Sequence, residues 1–445
     1  MIKLKQTNKL PTVVPGISAY GIYTGAIKPG EDLINTVIRS VQQNPHVGYG
    51  FKKGDVVCVT EAVVSYSQNN FCTYAQIASD WEHKTDDAEE AVVLVGLPSR
   101  NRGSWLKGIL MAKSIKKITL VFGYPRDEQG NSFFPDEETM HQKIDGVNIS
   151  EEVFDYDQFC ERFGKPCHRF TGKDYPEWYR EMCKESGVDA QILFCNNYAR
   201  IKDYTECDTY LVGRVHDRDI VAKQLEELGI KKVLTLADLM TESVDGSGYN
   251  PEFGLLGCNH MDENTLKLFP RDGKVFAQKL QKNIYCRTGV KVEVMIYGDG
   301  AFKDPVGQIW ELADPVVSPG YTDGLVGDKT GQVKAKKIIG ENLDKTPDEL
   351  ADMIKAAAAN SKGDADLAEN NALGTTPRRI TDINGSLADL ISGSGDAMTP
   401  VVLIRDHSKH EVSSMRFDKV AFVLGAGIAM TTSVLATVCY KLMKK

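Results

Sequence analysis

The sequence predicts a mixed α/β fold spread over more than one domain. Short, β-branched apolar runs alternate with stretches of helical periodicity along much of the chain. A length of 445 residues is also about two to three times that of a typical domain. Taken in order, the strand candidates are 56–60, 91–95, 117–122, 191–194, 209–212 and 232–236, each a compact apolar run bounded by polar or turn-forming residues. Helix candidates are 32–41, 104–113, 217–228 and 274–285. The first follows Pro29-Gly30 and opens on the acids Glu31 and Asp32, as a helix N-terminus favours. Residues 134–189, rich in charge and aromatics, read as a mostly helical insertion between an N-terminal part (1–133) and an α/β part (190–345). Thr346-Pro347-Asp348-Glu349 begins another helix in a segment of C-terminal helices and Gly-rich loops (346–415), and an apolar helix (416–445) closes the chain.

Composition removes several function classes. A net charge of −8, with no Lys/Arg run interleaved with aromatics, gives no electrostatic footprint for nucleic acid. Ten cysteines at irregular spacings, without a C-x-x-C pair, indicate neither a zinc knuckle nor a disulfide framework and fit a reducing, cytoplasmic setting. The N-terminus lacks the continuous apolar core of a secretory signal. No G-x-x-x-x-G-K-[ST] occurs, and no G-x-G-x-x-G follows a strand, so neither a P-loop nor a nicotinamide dinucleotide site is expected.

The most informative stretch is Tyr297-Gly298-Asp299-Gly300-Ala301-Phe302-Lys303-Asp304, which ends the alternating run 290–296. An acid at a strand end, beside backbone that can approach a ligand closely, suits a hard cation and its phosphate ligand. About forty residues upstream, Met261-Asp262-Glu263-Asn264 supplies a second acid in a similar setting. Read alone, each is equally a turn-forming Asp. Two Gly- and hydroxyl-rich loops, Gly374–Arg379 and Ser392–Asp396, flank a helical pattern over 383–391; Arg378 or Arg379 offers a planar fork for phosphate or carboxylate, or else serves a plain loop.

These pieces occur in the order of a known family. Gly21–Leu33, Lys53–Ser65 and the two acidic segments resemble the γ-glutamyl ligases that act on the deazaflavin coenzyme F-420, in an enlarged, bacterial-type branch. The resemblance implies a ligase driven by a nucleoside triphosphate, GTP in most of the family. The acceptor carboxylate takes the γ-phosphate as an acyl phosphate, which the amine of L-glutamate then displaces. It further implies Mg²⁺ or Mn²⁺ held by Asp262 and Asp299 with Asp304 or Glu263, and a reacting centre that includes Arg378. Gly21, Ile22, Ser65, Asn264 and Arg379 would contact the nucleotide, and the protein would be a homodimer. Such chemistry asks for positioning and charge neutralisation more than for a protein nucleophile.

The chain departs from the family pattern where Ser-Lys becomes Ser65-Tyr66 and where the threonine after the metal-binding aspartate becomes Gly300. A basic phosphate contact is thereby lost from its usual place, with Lys303 or Arg100 as candidate replacements. The departures keep two other readings in view, a nucleotide-binding scaffold and a metal-dependent phosphohydrolase. The stretch 420–440 carries no charge, is flanked by Lys419 and Lys441, and has small residues every fourth position from Ala421. It is long enough to span a bilayer core and is read as a membrane anchor, the alternative being an interface helix.

Overall fold

The computed structural model describes residues 17–96, 98, 103–168, 172–298, 302–303, 310–311, 317–329, 334–360, 378–392 and 397–405. The chain forms two compact units, one of Ala19–Asp323 with Asn384–Leu403, the other of Met1–Ser18, Gly324–Ile383 and Ile404–Lys445.

Five parallel strands make the larger sheet of the first unit, in the order Asp189–Phe194, Lys117–Phe122, Glu90–Val95, Thr209–Gly213, Lys232–Thr235, with Phe154–Asp155 antiparallel at the first edge. Counted along the chain, the parallel strands are ordered third, second, first, fourth, fifth, the doubly wound arrangement. Both faces are covered, which is why these strands read as unbroken apolar runs rather than as alternating ones. Val93, Val95, Leu120 and Phe122 face Trp81, Trp105 and Leu106 on one side. Val92, Leu94, Val121 and Val212 face Val221 and Leu225 on the other. The helices Glu137–Ile144, Tyr156–Phe163 and Tyr175–Glu185 of the 134–189 stretch lie in the crossover from the second strand to the third. Phe159 stacks on Phe194 at 3.9 Å between ring centroids.

A second sheet has the order Ser18–Ile22, Val401–Arg405, Val56–Thr60, Glu293–Tyr297, Gly320–Tyr321. Its central pair is parallel and in register from Glu293 opposite Val56 to Tyr297 opposite Thr60. Leu33–Gln42, capped by the Asp32 carboxylate on the Asn35 N–H, buries Val37, Ile38 and Val41 with Val57, Val59 and Val294. Gly273 begins the helix Gly273–Thr288 against the edge strand: a Cβ on Gly320 would fall 2.4 Å from the Gly273 carbonyl carbon, so neither position has room for a side chain. Between the two sheets in sequence, Phe71–Thr73 pairs antiparallel with Thr265–Lys267, which closes a hairpin with Asn259–His260.

In the second unit, Asp328–Lys329 pairs antiparallel with Arg378–Arg379, and Ala335–Glu341 and Pro347–Asn360 are helices. The Thr346 hydroxyl and N–H both donate to the Glu349 carboxylate, at the helix start read from the sequence. No helix among the described residues is long and apolar enough to cross a membrane, and the 420–440 stretch lies outside them.

A doubly wound sheet offers a ligand crevice where its strand order reverses, here beyond Val95 and Gly213. Glu128 stands at that point. Its carboxylate accepts the Val215 N–H at 3.0 Å and lies so close to Gly96 that a Cβ there would meet it at 2.7 Å. Burial raises the Glu128 carboxyl to about 7, against the opposing pull of the Val215 N–H and of Arg214. Since the folded value exceeds the unfolded one, stability is fullest below about 4.5 and declines as pH rises to 7. Urea denaturation of Glu128→Gln, which keeps the acceptor oxygen, should show that decline removed. The variant should gain on the parent by up to about 3 kcal/mol between pH 5 and 8.

Candidate functional site

The carboxyl ends of the central parallel pair open into a cleft of about 560 Å³. Because Thr60 and Tyr297 are register partners, the last side chain of each strand meets the other at its floor. Gly25–Ile27, the helix that starts at Glu61, the hairpin residues Asn259 and His260, and Asp389, Ser392, Met398 and Pro400 contribute the walls. The loop after Ile22 is held there by the Thr24 N–H on the Met398 carbonyl, and the Thr60 N–H bonds to Pro400 O at 2.9 Å.

Two polar pairs define the electrostatics. Glu61, the first residue of its helix, is buried and forms an ion pair with Lys267, whose side chain is only 6% exposed. Lys267 reaches it from the strand paired with Phe71. On the same hairpin, His260 Nδ1 and the Tyr74 hydroxyl are 3.0 Å apart with the rings edge-on. Desolvation and the nearby Lys107 hold His260 below its ordinary range, so the imidazole is neutral at pH 7, while burial pushes the Tyr74 phenol to about 12. Burial likewise drives the Tyr297 phenol well above its usual range, although side-chain hydrogen bonds to Ser392 and Thr60 oppose the shift.

Gly21, Ile22, Ser65, Asp262 and Asn264, all anticipated from the sequence, lie within a few positions in sequence of residues that line this cleft. Ile22 is fully buried in the core, and Gly21 packs against Thr399, so the wall is made by Gly25–Ile27 just downstream. The Ser65 hydroxyl donates to the Leu268 carbonyl at 2.7 Å and ties the helix to the hairpin strand, while its neighbour Tyr66 lines the cleft. Asp262 and Asn264 sit exposed at the hairpin tip, the Asn264 N–H donating to Asp262 Oδ1 at 2.9 Å. That N–H, with the Thr265 side chain, holds the Asp262 carboxyl below the usual carboxylate range. The turn role and an ionised oxygen donor thus coexist in one residue. Asp299, Asp304 and Arg100 lie outside the described residues. No group of three or more His, Cys, Asp or Glu side chains that could hold a metal occurs among the described residues. Arg378 and Arg379 form the second unit's short strand, with Arg379 exposed; of the loop 392–396, Ser392 lines the cleft and the rest lies outside the described residues.

The sequence model of the F420-0:gamma-glutamyl ligase family matches residues 21–406, a span that takes in the cleft and both acidic segments. The chain belongs to this family. It is therefore an amide-bond-forming ligase of the kind used in coenzyme F-420 biosynthesis. No curated protein matches the chain.

Sequence reasoning about the ligase missed Glu61 and Lys267. They are 206 positions apart, and the one local signal is a lysine set between Leu266 and Leu268 in an otherwise apolar run. Lys267 supplies a cation to the cleft that Tyr66 also lines. Removing one partner of a buried ion pair leaves a desolvated charge, so Lys267→Met should cost about 3–5 kcal/mol in chemical denaturation. Adding Glu61→Gln should return most of that loss, and a double variant as unstable as the single would refute the pairing.

Proposed function

We propose that the protein is a GTP-dependent γ-glutamyl ligase that joins L-glutamate to a carboxylate-bearing acceptor through an acyl phosphate. The observation that carries this reading is the cleft at the carboxyl ends of two parallel strands. It holds a buried lysine and is bordered by the hairpin of Asp262 and by the strand that leads, two residues past Tyr297, to Asp299. In the reaction an acceptor carboxylate oxygen attacks the γ-phosphorus and GDP departs; the glutamate amine then attacks the acyl carbon, phosphate departs, and the amine proton is lost to solvent.

The chain's own contribution is to gather anionic and amine groups out of water and to hold them in line. Lys267 supplies positive charge to a substrate carboxylate, and the Tyr74–His260 contact fixes the wall beside it. Asp262 fits a hard divalent ion, being an ionised oxygen donor at an exposed turn, and Asp299 and Asp304 would complete that set. When bound, the ion neutralises charge on the phosphates. Homodimer formation and a membrane-bound C-terminus belong to the same reading and rest on the family resemblance and on the 420–440 sequence.

Orthophosphate release from GTP should depend on both L-glutamate and an acceptor, and a product heavier by one glutamyl residue should appear by mass spectrometry. Release that ignores glutamate would assign the site to phosphohydrolysis. Asp262→Asn and Asp299→Asn should each abolish the response of turnover to Mg²⁺ or Mn²⁺ while leaving the circular dichroism spectrum unchanged.

A further inference from the structure

The cleft floor is richer in acceptors and negative charge than a phosphate site would be. Among its described lining residues are two carboxylates, Glu61 and Asp389, against a single ammonium, Lys267. Tyr297 shares side-chain hydrogen bonds with Ser392 and Thr60, and all three line the same cleft. A triphosphate placed here would face two like charges and a lysine already engaged by one of them. A protonated amine would find acceptors on several sides.

We propose that this floor binds the zwitterionic head of an α-amino acid, which in the ligase reading on which this rests is L-glutamate. The ammonium is received by Glu61 and the neighbouring Thr60, Ser392 and Asp389 oxygens, and the α-carboxylate by Lys267. Glu61 and Lys267 touch one another, so the two poles of the site are as close as the two poles of an amino acid. A ligand with opposite charges on groups attached to one carbon can therefore lie across the pair and satisfy both without stripping either of a counter-ion. Ile27, Val63, Tyr66, Met398 and Pro400 supply apolar wall for the aliphatic carbons. The same arrangement brings a nucleophilic amine to the strand ends that border the acidic loops.

Calorimetric titration of the nucleotide-free, full-length protein with L-glutamate, glutarate and γ-aminobutyrate tests the head-group requirement without altering the chain. Glutarate lacks the amine and γ-aminobutyrate lacks the α-carboxylate. Each should bind at least about tenfold more weakly than L-glutamate, a difference that titration resolves. Glu61→Gln, and the charge-free Glu61→Gln/Lys267→Gln pair that avoids a stranded ion, should lose L-glutamate affinity by a similar factor. Affinity for a fluorescent GTP analogue with Mg²⁺ should stay within about threefold. Equal binding of all three small ligands, or parallel loss of GTP affinity in the double variant, would overturn the proposal and give the floor to the nucleotide. Failure of the ligase reading looks different: L-glutamate binds with these preferences, yet GTP is not consumed with any acceptor. Conversely, glutamate-dependent turnover with an unchanged KM for glutamate in the double variant would sink the subsite and spare the ligase.

Discussion

The cleft depends on one buried ion pair. Glu61 begins the helix that follows strand Val56–Thr60, Lys267 ends the hairpin strand that pairs with Phe71–Thr73, and neither element touches the other in sequence. An ammonium and a carboxylate withdrawn from water are tolerable only together. The pair therefore fixes the distance between the strand-end loop and the hairpin, and with it the position of every wall that either carries. The Ser65 hydroxyl on the Leu268 carbonyl and the Asn70 amide on the Phe269 carbonyl repeat the tie one turn further along. The three bonds oblige helix and hairpin to move as one piece.

The doubly wound sheet acts on the cleft through packing. Its main hydrophobic cluster does not stop at the sheet but continues through Cys72, Tyr74 and Trp81 to Leu266, Leu268 and Phe269, the apolar neighbours of Lys267. The inserted strands and helices thus form the solid ground behind the hairpin. Glu128 occupies the point where such a sheet ordinarily receives a ligand, and its carboxyl, raised towards neutrality by burial, caps the Val215 N–H as an internal substitute for one. Through that packing this portion of the chain supports the hairpin.

Much of the architecture was legible because it is local. Strands Val56–Thr60 and Lys117–Phe122 have the bounds the apolar runs indicate, and a helix begins at Pro347 where Thr346-Pro347-Asp348-Glu349 marks its start. Two-sided burial left a strong signal in composition, so the large sheet was readable strand by strand, although its order was not. The three-residue strands Phe71–Thr73 and Thr265–Lys267 escaped notice because they are shorter than the period that would mark them. Ser104–Leu110 ends before the helical pattern does, since the N–H groups of Lys113 and Ser114 turn to the Glu82 carboxylate. The residues lining the cleft are mostly one or a few positions away from the motif residues: Gly25–Ile27 beyond Gly21 and Ile22, Tyr66 beside Ser65, His260 before Asp262. Side-chain direction, which decides between such neighbours, follows from packing that a single sequence does not record.

The replacement of the family's lysine by Tyr66 illustrates how a site can keep its chemistry while moving a charge. Lys267 brings a cation to the same cleft from a different strand. The exchange is not neutral, because Lys267 arrives with Glu61 as a partner and the described lining retains an excess of carboxylate. A triphosphate brought to such a lining needs its charge met from outside it. That is the part the proposed function gives to a divalent ion at Asp262, beyond His260 on the hairpin, and at Asp299, two residues past Tyr297 in the sequence. An acid-rich floor for the amine and a cation at the rim for the phosphates would then be two consequences of one division of charge.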